Sequence, residues 1–468
     1  MPKTSFPAEA DPIRANAAEV YIQTYPLLMA DAIRRAHPLG FHQFQIAPQD
    51  AESLAPGLSE DDARVIVVTA WIDLTHGPVI LRIPRTGGRY LSLTLYDTAG
   101  EPFMCVGSRT GDDAGLDLAV VSPKWRGELP SGLKARRAPS EFAWAVCRIH
   151  AHSLLDRAAT LAVAKRLCLA VVPPDTMGLE SATTVIAAPA APLVRQVAEV
   201  DPATLFHRLP GLLDRAPDSF RGVKRRRVEA LLAKLEGPPP VDAWSPEFEK
   251  TLAMGLADGM GRIEAAARAV MRPERGGWAD VFRSPVEPVV TPLSAAVHAY
   301  LAAGAPSSDD LMLLVCEHDV MGQPLTGEHN YRIHFEPGAA PPADAYWSLH
   351  ARPAPSYGNR HGLGSRDELV ASADGSLDLA LQRQSPSRRL TANWLICPAS
   401  RFALTMRVYS PWPAAVQGAW RMPAVERVDD QVEATRSGSV RRHRPPQIPT
   451  TDSRRKSDAL AMIWRPSL

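Results

Sequence analysis

The runs Tyr331-Arg-Ile-His-Phe335, Ala345-Tyr-Trp-Ser-Leu349, Asp374-Gly-Ser-Leu-Asp-Leu-Ala-Leu381, Asn393-Trp-Leu-Ile-Cys-Pro398 and Phe402-Ala-Leu-Thr-Met-Arg-Val-Tyr409, within the stretch Tyr331–Trp420, decide the fold class of this chain. Apolar and polar residues alternate within these short runs, and turn residues separate them. A period of two puts neighbouring side chains on opposite faces of a strand. A series of such strands at this spacing is the pattern of an all-β sandwich. The pattern recurs over residues 71–149, most cleanly at Tyr90–Tyr96, where Leu91, Leu93 and Leu95 alternate with Ser92, Thr94 and Tyr96. One face of that strand is leucine and the other bears hydroxyls. Two β domains in one chain follow, with no chemistry named.

Length and composition fit this reading. At 468 residues the chain has room for two or three domains. Its 45% hydrophobic and 22% charged content is ordinary for a globular protein. A formal net charge of +1 gives no overall pull toward nucleic acid or an acidic surface. The 44 prolines favour turns over long uninterrupted helices. Cys105, Cys147, Cys168, Cys316 and Cys397 form no Cys-x-x-Cys pair, so buried free thiols in a reducing compartment are expected. Residues 1–23 hold no apolar segment of secretory type, and no run approaches the ~20 apolar residues of a membrane span. A cytoplasmic location is expected.

Along the chain, residues 12–38 have apolar residues at helical spacing, with Pro26 expected to kink or split the helix. Strands are expected at Arg64–Leu74, Pro78–Ile83, Tyr90–Tyr96, Pro102–Gly107, Asp117–Ser122 and Phe142–His150. Helices are expected at Leu154–Val171, Pro202–Leu213, Gly222–Leu235 and Ser245–Met271, and over residues 293–303. Ser245 followed by Pro246 suits a helix start. The second β region runs from about Leu311 to Val425, and the polar, basic residues 428–457 read as disordered.

Several motifs occur together in one order: Trp71-Ile-Asp-Leu74, Gly77-Pro-Val79, Pro84, Gly88-Arg-Tyr90, Leu95-Tyr-Asp97, Gly107-Ser-Arg-Thr110, Pro123-Lys-Trp125, Gly127 and Pro130. This stretch resembles the family called domain of unknown function 1254. Tyr331 to Val425 resembles its usual companion, domain of unknown function 1214. The likeness covers most of residues 15–425 and implies two jelly-roll-like β-sandwich domains joined by a helical segment. It implies no activity. One departure matters. Typical members carry an Asn-x-Asp-Thr-x-Tyr-like segment before the tryptophan motif, and here Arg64, Val65 and Val67 stand at its Asp, Thr and Tyr positions. Either polar chemistry has been lost or changed, or the strand packs differently.

Each candidate site has a plainer reading beside it. His150 and His152 share a strand face, but a metal needs three or four ligands, so they read as ordinary surface histidines. Glu317-His-Asp319, Glu328-His329 and His334 form a polar stretch suited to acid–base work or to a plain loop. Tyr357-Gly-Asn-Arg-His361 resembles the family's Asn-Arg-Tyr segment; Arg360 offers a fork for an anion and His361 a base. Gly88-Arg89-Tyr90 and Tyr96-Asp97 bracket one strand, with Arg89 expected to pair with Asp97 or across domains. Trp71, Trp125, Trp347, Trp394 and Trp420 read as core residues rather than sugar platforms. There is no Gly-x-Ser-x-Gly, no His-Glu-x-x-His and no phosphate-binding Gly-x-x-x-x-Gly-Lys-Ser/Thr. Gly255, Gly259 and Gly261 follow no strand, so no dinucleotide fold is implied. The basic tail has no aromatic residue between Arg441 and Lys456, which argues against specific nucleic-acid binding.

The expected architecture is mixed and mainly β: a β-sandwich domain with leading helix over 12–150, a helical connection over 151–305, a second β-sandwich domain over 306–427 and a basic tail over 428–468. One functional expectation is an enzyme or binding protein for a small polar or glycan-like molecule held between the domains. In it Arg89, Arg109 and Arg360 orient an anion, and Asp97 or His361 moves a proton. No metal is assigned, and cofactor and substrate are unspecified. The other expectation is a non-catalytic protein whose sandwich faces form a homo-oligomer.

Overall fold

The strand with the cleanest two-faced sequence, Leu91–Tyr96, is buried on both faces. The computed structural model describes residues 11–37, 39–48, 54–58, 60, 62–111, 115–171, 191–235, 244–271, 277–282, 291–352, 362–386 and 390–428, and the backbone of 441–442. The first β unit contains β1 (Gln45–Ile46), β2 (Val65–Asp73), β3 (Val79–Ile83), β4 (Leu91–Tyr96), β5 (Pro102–Gly107), β6 (Leu116–Val121), β7 (Lys134–Arg137), β8 (Phe142–His150) and β9 (Cys168–Val171). They form a five-stranded sheet, β1-β2-β8-β4-β5, and a four-stranded sheet, β7-β6-β3-β9. Between the sheets, Ile66, Val68, Leu91, Leu93, Leu95, Cys147 and Ile149 meet Val79, Leu81, Leu118, Val120 and Leu169 in one core. The leucine face of β4 is therefore the inner face.

The second β unit contains β10 (Ala279–Asp280), β11 (Leu311–Cys316), β12 (Asn330–Phe335), β13 (Ala343–Arg352), β14 (Gly362–Gly364), β15 (Val370–Ala371), β16 (Leu377–Gln382), β17 (Trp394–Ile396), β18 (Ala403–Pro411) and β19 (Glu426–Val428). Its sheets are β10-β11-β18-β13-β14 and β17-β16-β12-β19, sharing a core of Met312, Leu314, Leu349, Met406 and Val408 against Ile333, Phe335, Leu379 and Leu395. With β15 set aside, the two units have the same strand order. The single parallel pair of each unit also corresponds, β6 with β7 and β16 with β17. The chain folds one topology twice.

Helices α1 (Pro12–Ala36), α2 (Arg157–Ala164), α3 (Leu193–Ala198), α4 (Pro202–Asp214), α5 (Val223–Ala233), α6 (Pro246–Val270), α7 (Pro292–Ala302) and α8 (Pro413–Val416) complete the described elements, with β20 (Arg441–Arg442) pairing β15. Asp11 caps α1 through Ile13 N at 3.0 Å, and Pro12 fits its first turn. The helix runs on through Pro26 instead of splitting there. Burial outweighs the lost hydrogen bond: Tyr21, Tyr25, Met29 and Ile33 of α1 pack with Leu205, Leu256, Ile263 and Ala296. Ser245 accepts from Phe248 N at 3.2 Å, the expected start of α6.

Two elements depart from expectation. The helix expected over Leu154–Val171 stops at Ala164, and β9 instead pairs with the edge of β3, Val79 opposite Val171. β7 is Lys-Ala-Arg-Arg and fully exposed; it joins the sheet by its backbone and carries edge charges that discourage further pairing. Of the tail expected to be disordered, only Val428 and the backbone of Arg441–Arg442 fall within the described residues. Among described helices, none is long and apolar enough to cross a membrane.

The outer faces of the five-stranded sheets are also covered. Val65, Val67, Trp71, Tyr96, Trp144 and Val146 face the helical core, with Trp71 stacked on Trp144 at 5.9 Å. Tyr90 meets Leu311, Leu313, Tyr346 and Tyr409 of the second unit. Strands covered on both sides need apolar residues throughout, which explains the continuous apolar sequence of β2.

Candidate site at the seam between the two β units

The seam is built by phase. On β8, Ala143, Ala145, Cys147 and Ile149 point into the core, so Trp144, Val146, Arg148 and His150 point outward. On β13, Trp347, Leu349 and Ala351 are inward, leaving Tyr346, Ser348 and His350 outward. On β18, Leu404, Met406 and Val408 are inward, leaving Thr405, Arg407 and Tyr409. The outward sets meet, so polar groups are buried between two sheets.

His150 is 1% exposed and lies at the centre of a relay. Arg366 Nη1 is 2.7 Å from His150 Nδ1. A guanidinium only donates, so Nδ1 must accept and the ring proton sits on Nε2. Nε2 then donates to Asp62 Oδ2 at 3.4 Å. Asp62 also takes a fork from Arg64, with Nη2 at 2.8 Å and Nε at 2.9 Å. The His150 ring lies 3.7 Å from the Tyr346 ring, and Arg366 sits over Tyr346 at 4.6 Å. Tyr346 stacks on Tyr409 at 4.3 Å, and Tyr409 donates to Glu60. The Tyr346 hydroxyl is buried and has no hydrogen-bond partner among the described residues. Burial pulls the His150 pKa down to about 4, against the pull of Asp62 and aided by Arg366 and Arg64. The imidazole is neutral at neutral pH. Asp62 is held well below the usual carboxylate range: burial opposes this, and His150 and Arg64 overcome it.

The equivalent corner of the other unit is closed differently. Ser92 stands opposite Arg148 and Gly107, while Ser348 stands opposite Arg407 and Gly364. Ser108 Oγ accepts from Leu91 N at 2.9 Å, and Ser365 Oγ accepts from Trp347 N at 3.0 Å. Gly107-Ser108-Arg109 and Gly364-Ser365-Arg366 are thus the same turn in two copies, and each arginine crosses the seam. Arg109 Nε meets Asp310 Oδ1 at 2.7 Å, and Asp310 is 2% exposed. Ser307 Oγ donates to the same carboxylate at 2.9 Å.

Residues 41–170 match the family model described as Protein of unknown function (DUF1254), and residues 311–413 match Protein of unknown function (DUF1214). The chain belongs to the two-domain family in which DUF1254 precedes DUF1214. It is similar in fold to the solved VPA0106 protein from Vibrio parahaemolyticus, with a TM-score of 0.60, 20% identity, and 89% of this chain and 100% of that one covered. A putative uncharacterized protein from Burkholderia cenocepacia aligns with a TM-score of 0.41 and 12% identity over 89% of this chain and 94% of its own. No curated protein matches.

Within this DUF1254–DUF1214 chain the expected site residues are scattered. Arg89 pairs with Asp156 at 2.8 Å, neither with Asp97 nor across the seam. Asp97 lies beyond the far end of β4, where Oδ1 accepts from Ala99 N at 2.8 Å and Glu101 N at 3.1 Å; burial pushes its carboxyl up to about 7. Arg109 does reach the seam. Arg360 and His361 lie outside the described residues. His150, expected at the surface, is buried, whereas His152 is exposed. His334 bonds Asp378 at 2.7 Å and Asp319 caps its own turn through Met321 N and Gln323 N, away from the seam. Trp71 and Trp347 are core residues. At the departure from the family pattern, Val65 and Val67 pack into the helical core, while Arg64 turns to Asp62. Asp62, His150, Tyr346 and Arg366 are far apart in the sequence and are not marked there as a set. The signal that could have found them is the repeated Gly-Ser-Arg. Among the described residues no group of three or more His, Cys, Asp or Glu side chains could hold a metal.

Proposed function

We propose that this protein binds a small polar molecule at the seam between its β units and exchanges a proton with it through His150. The relay Asp62–His150–Arg366 carries the reading. Asp62 fixes the tautomer and would stabilise an imidazolium, as the orienting carboxylate of a hydrolase triad does. Arg366 covers the lone pair of Nδ1. A ligand that draws Arg366 aside frees that nitrogen and removes one of the cations depressing its basicity. The proton then passes from a ligand O–H or N–H to Nδ1, while Nε2–H stays with Asp62. The Tyr346 hydroxyl, which has no hydrogen-bond partner among the described residues, is a further donor on the ring that His150 and Arg366 touch. Groups perturbed by burial and specific charge partners mark functional sites more often than ordinary surfaces do.

We take each unit to be a jelly-roll-like β-sandwich, which the core shared by its two sheets supports. The buried thiols of Cys147, Cys168, Cys316 and Cys397 support a reducing, cytoplasmic setting. The competing reading is a closed, non-catalytic scaffold, favoured by the Arg109–Asp310 pair that ties the seam. A thermal-shift screen of small polar metabolites separates them. A compound that raises the wild-type Tm by several degrees, loses its effect in His150→Gln and Arg366→Gln, and keeps it in the exposed control Arg82→Gln supports the site. Equal shifts in all variants, or none in the wild type, favour the scaffold.

A further inference from the structure

The duplicated topology lets one half of the molecule report on the other. The strand ends correspond bond for bond: Ala151 N donates to Arg64 O at 2.9 Å, and Ser410 N donates to Asp310 O at 2.8 Å. Arg64 and Asp310 therefore occupy the same place in the two copies, immediately before β2 and β11. In one corner the crossing arginine, Arg109, finds a carboxylate at that place. In the other corner the crossing arginine, Arg366, finds Arg64. The charge at the duplicated position is reversed.

The reversal leaves Arg366 with no carboxylate in contact. Asp62 and Asp367 both turn to Arg64 instead, at 2.8 and 3.6 Å. Among the described residues Arg366 forms no ion pair within 4 Å; its contacts are the neutral His150 ring and the face of Tyr346. A half-buried guanidinium whose hydrogen-bond partner is a neutral imidazole is a weak arrangement beside a carboxylate fork. Tyr346, 2% exposed, lies in the same corner, and its hydroxyl is a second donor with no partner among the described residues.

We infer that the seam ligand is a small carboxylate, seated on Arg366 as Asp310 is seated on Arg109. Two in-plane oxygens match the guanidinium fork, and Asp310 shows that this turn accommodates that group in the folded molecule. The carboxylate draws Arg366 off His150 Nδ1 and so couples binding to the proton-transfer group. This inference rests on the proposed seam site and adds the chemical class of its ligand.

The test uses the full chain, with acetate, acetamide and inorganic phosphate as probes. Two readouts are followed: an equilibrium titration and the side-chain nitrogen NMR signals of His150. Acetate should saturate one site and shift the Nδ1 signal, acetamide should bind at least tenfold more weakly, and Arg366→Gln should weaken acetate at least tenfold. Arg64→Asp, which writes the carboxylate of the first corner into the second, should abolish acetate binding in a protein that remains folded by circular dichroism. If Arg64→Asp does not fold, Arg366→Gln alone decides. Acetate binding equally to wild type and Arg366→Gln, or phosphate binding in place of acetate, overturns the carboxylate assignment. If acetate leaves His150 unchanged while a neutral metabolite shifts it, the ligand class falls and the seam site stands. If no compound shifts His150, both fall.

Discussion

His150 and Asp97 are buried titratable groups of opposite sign. The folded-state value of His150, about 4, lies below its ordinary 6.5, so the unfolded chain protonates first as pH falls. Its contribution to stability is complete above pH 6.5 and is lost on acidification toward pH 4, an effect of about 3 kcal/mol. Asp97 is raised from 3.8 to about 7, so the folded chain holds its proton longer. Its contribution is complete below pH 3.8 and is lost as pH rises through 7. Asp97→Asn keeps an oxygen acceptor for Ala99 and Glu101. It should gain on the wild type by on the order of 2–4 kcal/mol between pH 4 and pH 8, whereas His150→Gln should flatten the acid limb. Urea denaturation across pH checks both, and a pH-independent difference for either variant contradicts the assignment. The sequence marked Asp97 by a turn motif but gave no sign of its burial. His150 sat in plain view within His150-Ala-His152, but its neighbours Tyr346 and Arg366 lie some two hundred residues away, so its environment was not readable locally.

At the scale of elements, β2, β4, β5 and β8 were located to within about a residue, β2 by its continuous apolar run and β4 by its alternating leucines. β7 escaped because Lys-Ala-Arg-Arg carries no apolar face, and β9 because its short apolar run follows a real helix and reads as more of it. The Gly-Ser-Arg turns rest on their glycines. Gly107 has φ +145, open only to glycine, and a Cβ there would strike the Leu91 carbonyl. Gly364 has an ordinary φ, but its Cβ would strike the Trp347 carbonyl in the same way. Gly107→Ala and Gly364→Ala should each cost about 2–4 kcal/mol, read as a lowered Tm, with Gly107→Ala the more severe. Because Gly364 leads into Arg366, its alanine variant should also weaken any seam ligand. A neutral Gly364→Ala would mean that β14 is free to shift.

For the whole molecule, the resemblance in sequence implied two β domains with a helical connection, and the family matches agree on the order of the domains. The repetition of one strand order was not legible, since strand pairing belongs to long-range contacts that periodicity does not encode. The seam predicts cooperativity. Arg109→Ala leaves Asp310 buried without its cation and should cost about 3–5 kcal/mol. Calorimetry should find one unfolding transition in the wild type, with Arg109→Ala lowering it or splitting it in two. Two resolved transitions in the wild type would show that the units are independent. Helix α1 adds a matter of timing. Arg14 on its first turn closes on Asp258, 244 positions later. At a synthesis rate of about 5–20 residues per second, a ribosome needs roughly 12–50 s to make that partner. Throughout that interval the part of the α1 face that α6 covers lacks Leu256, Met260 and Ile263. The nascent chain therefore carries a leading helix whose apolar face stays partly bare until α6 emerges.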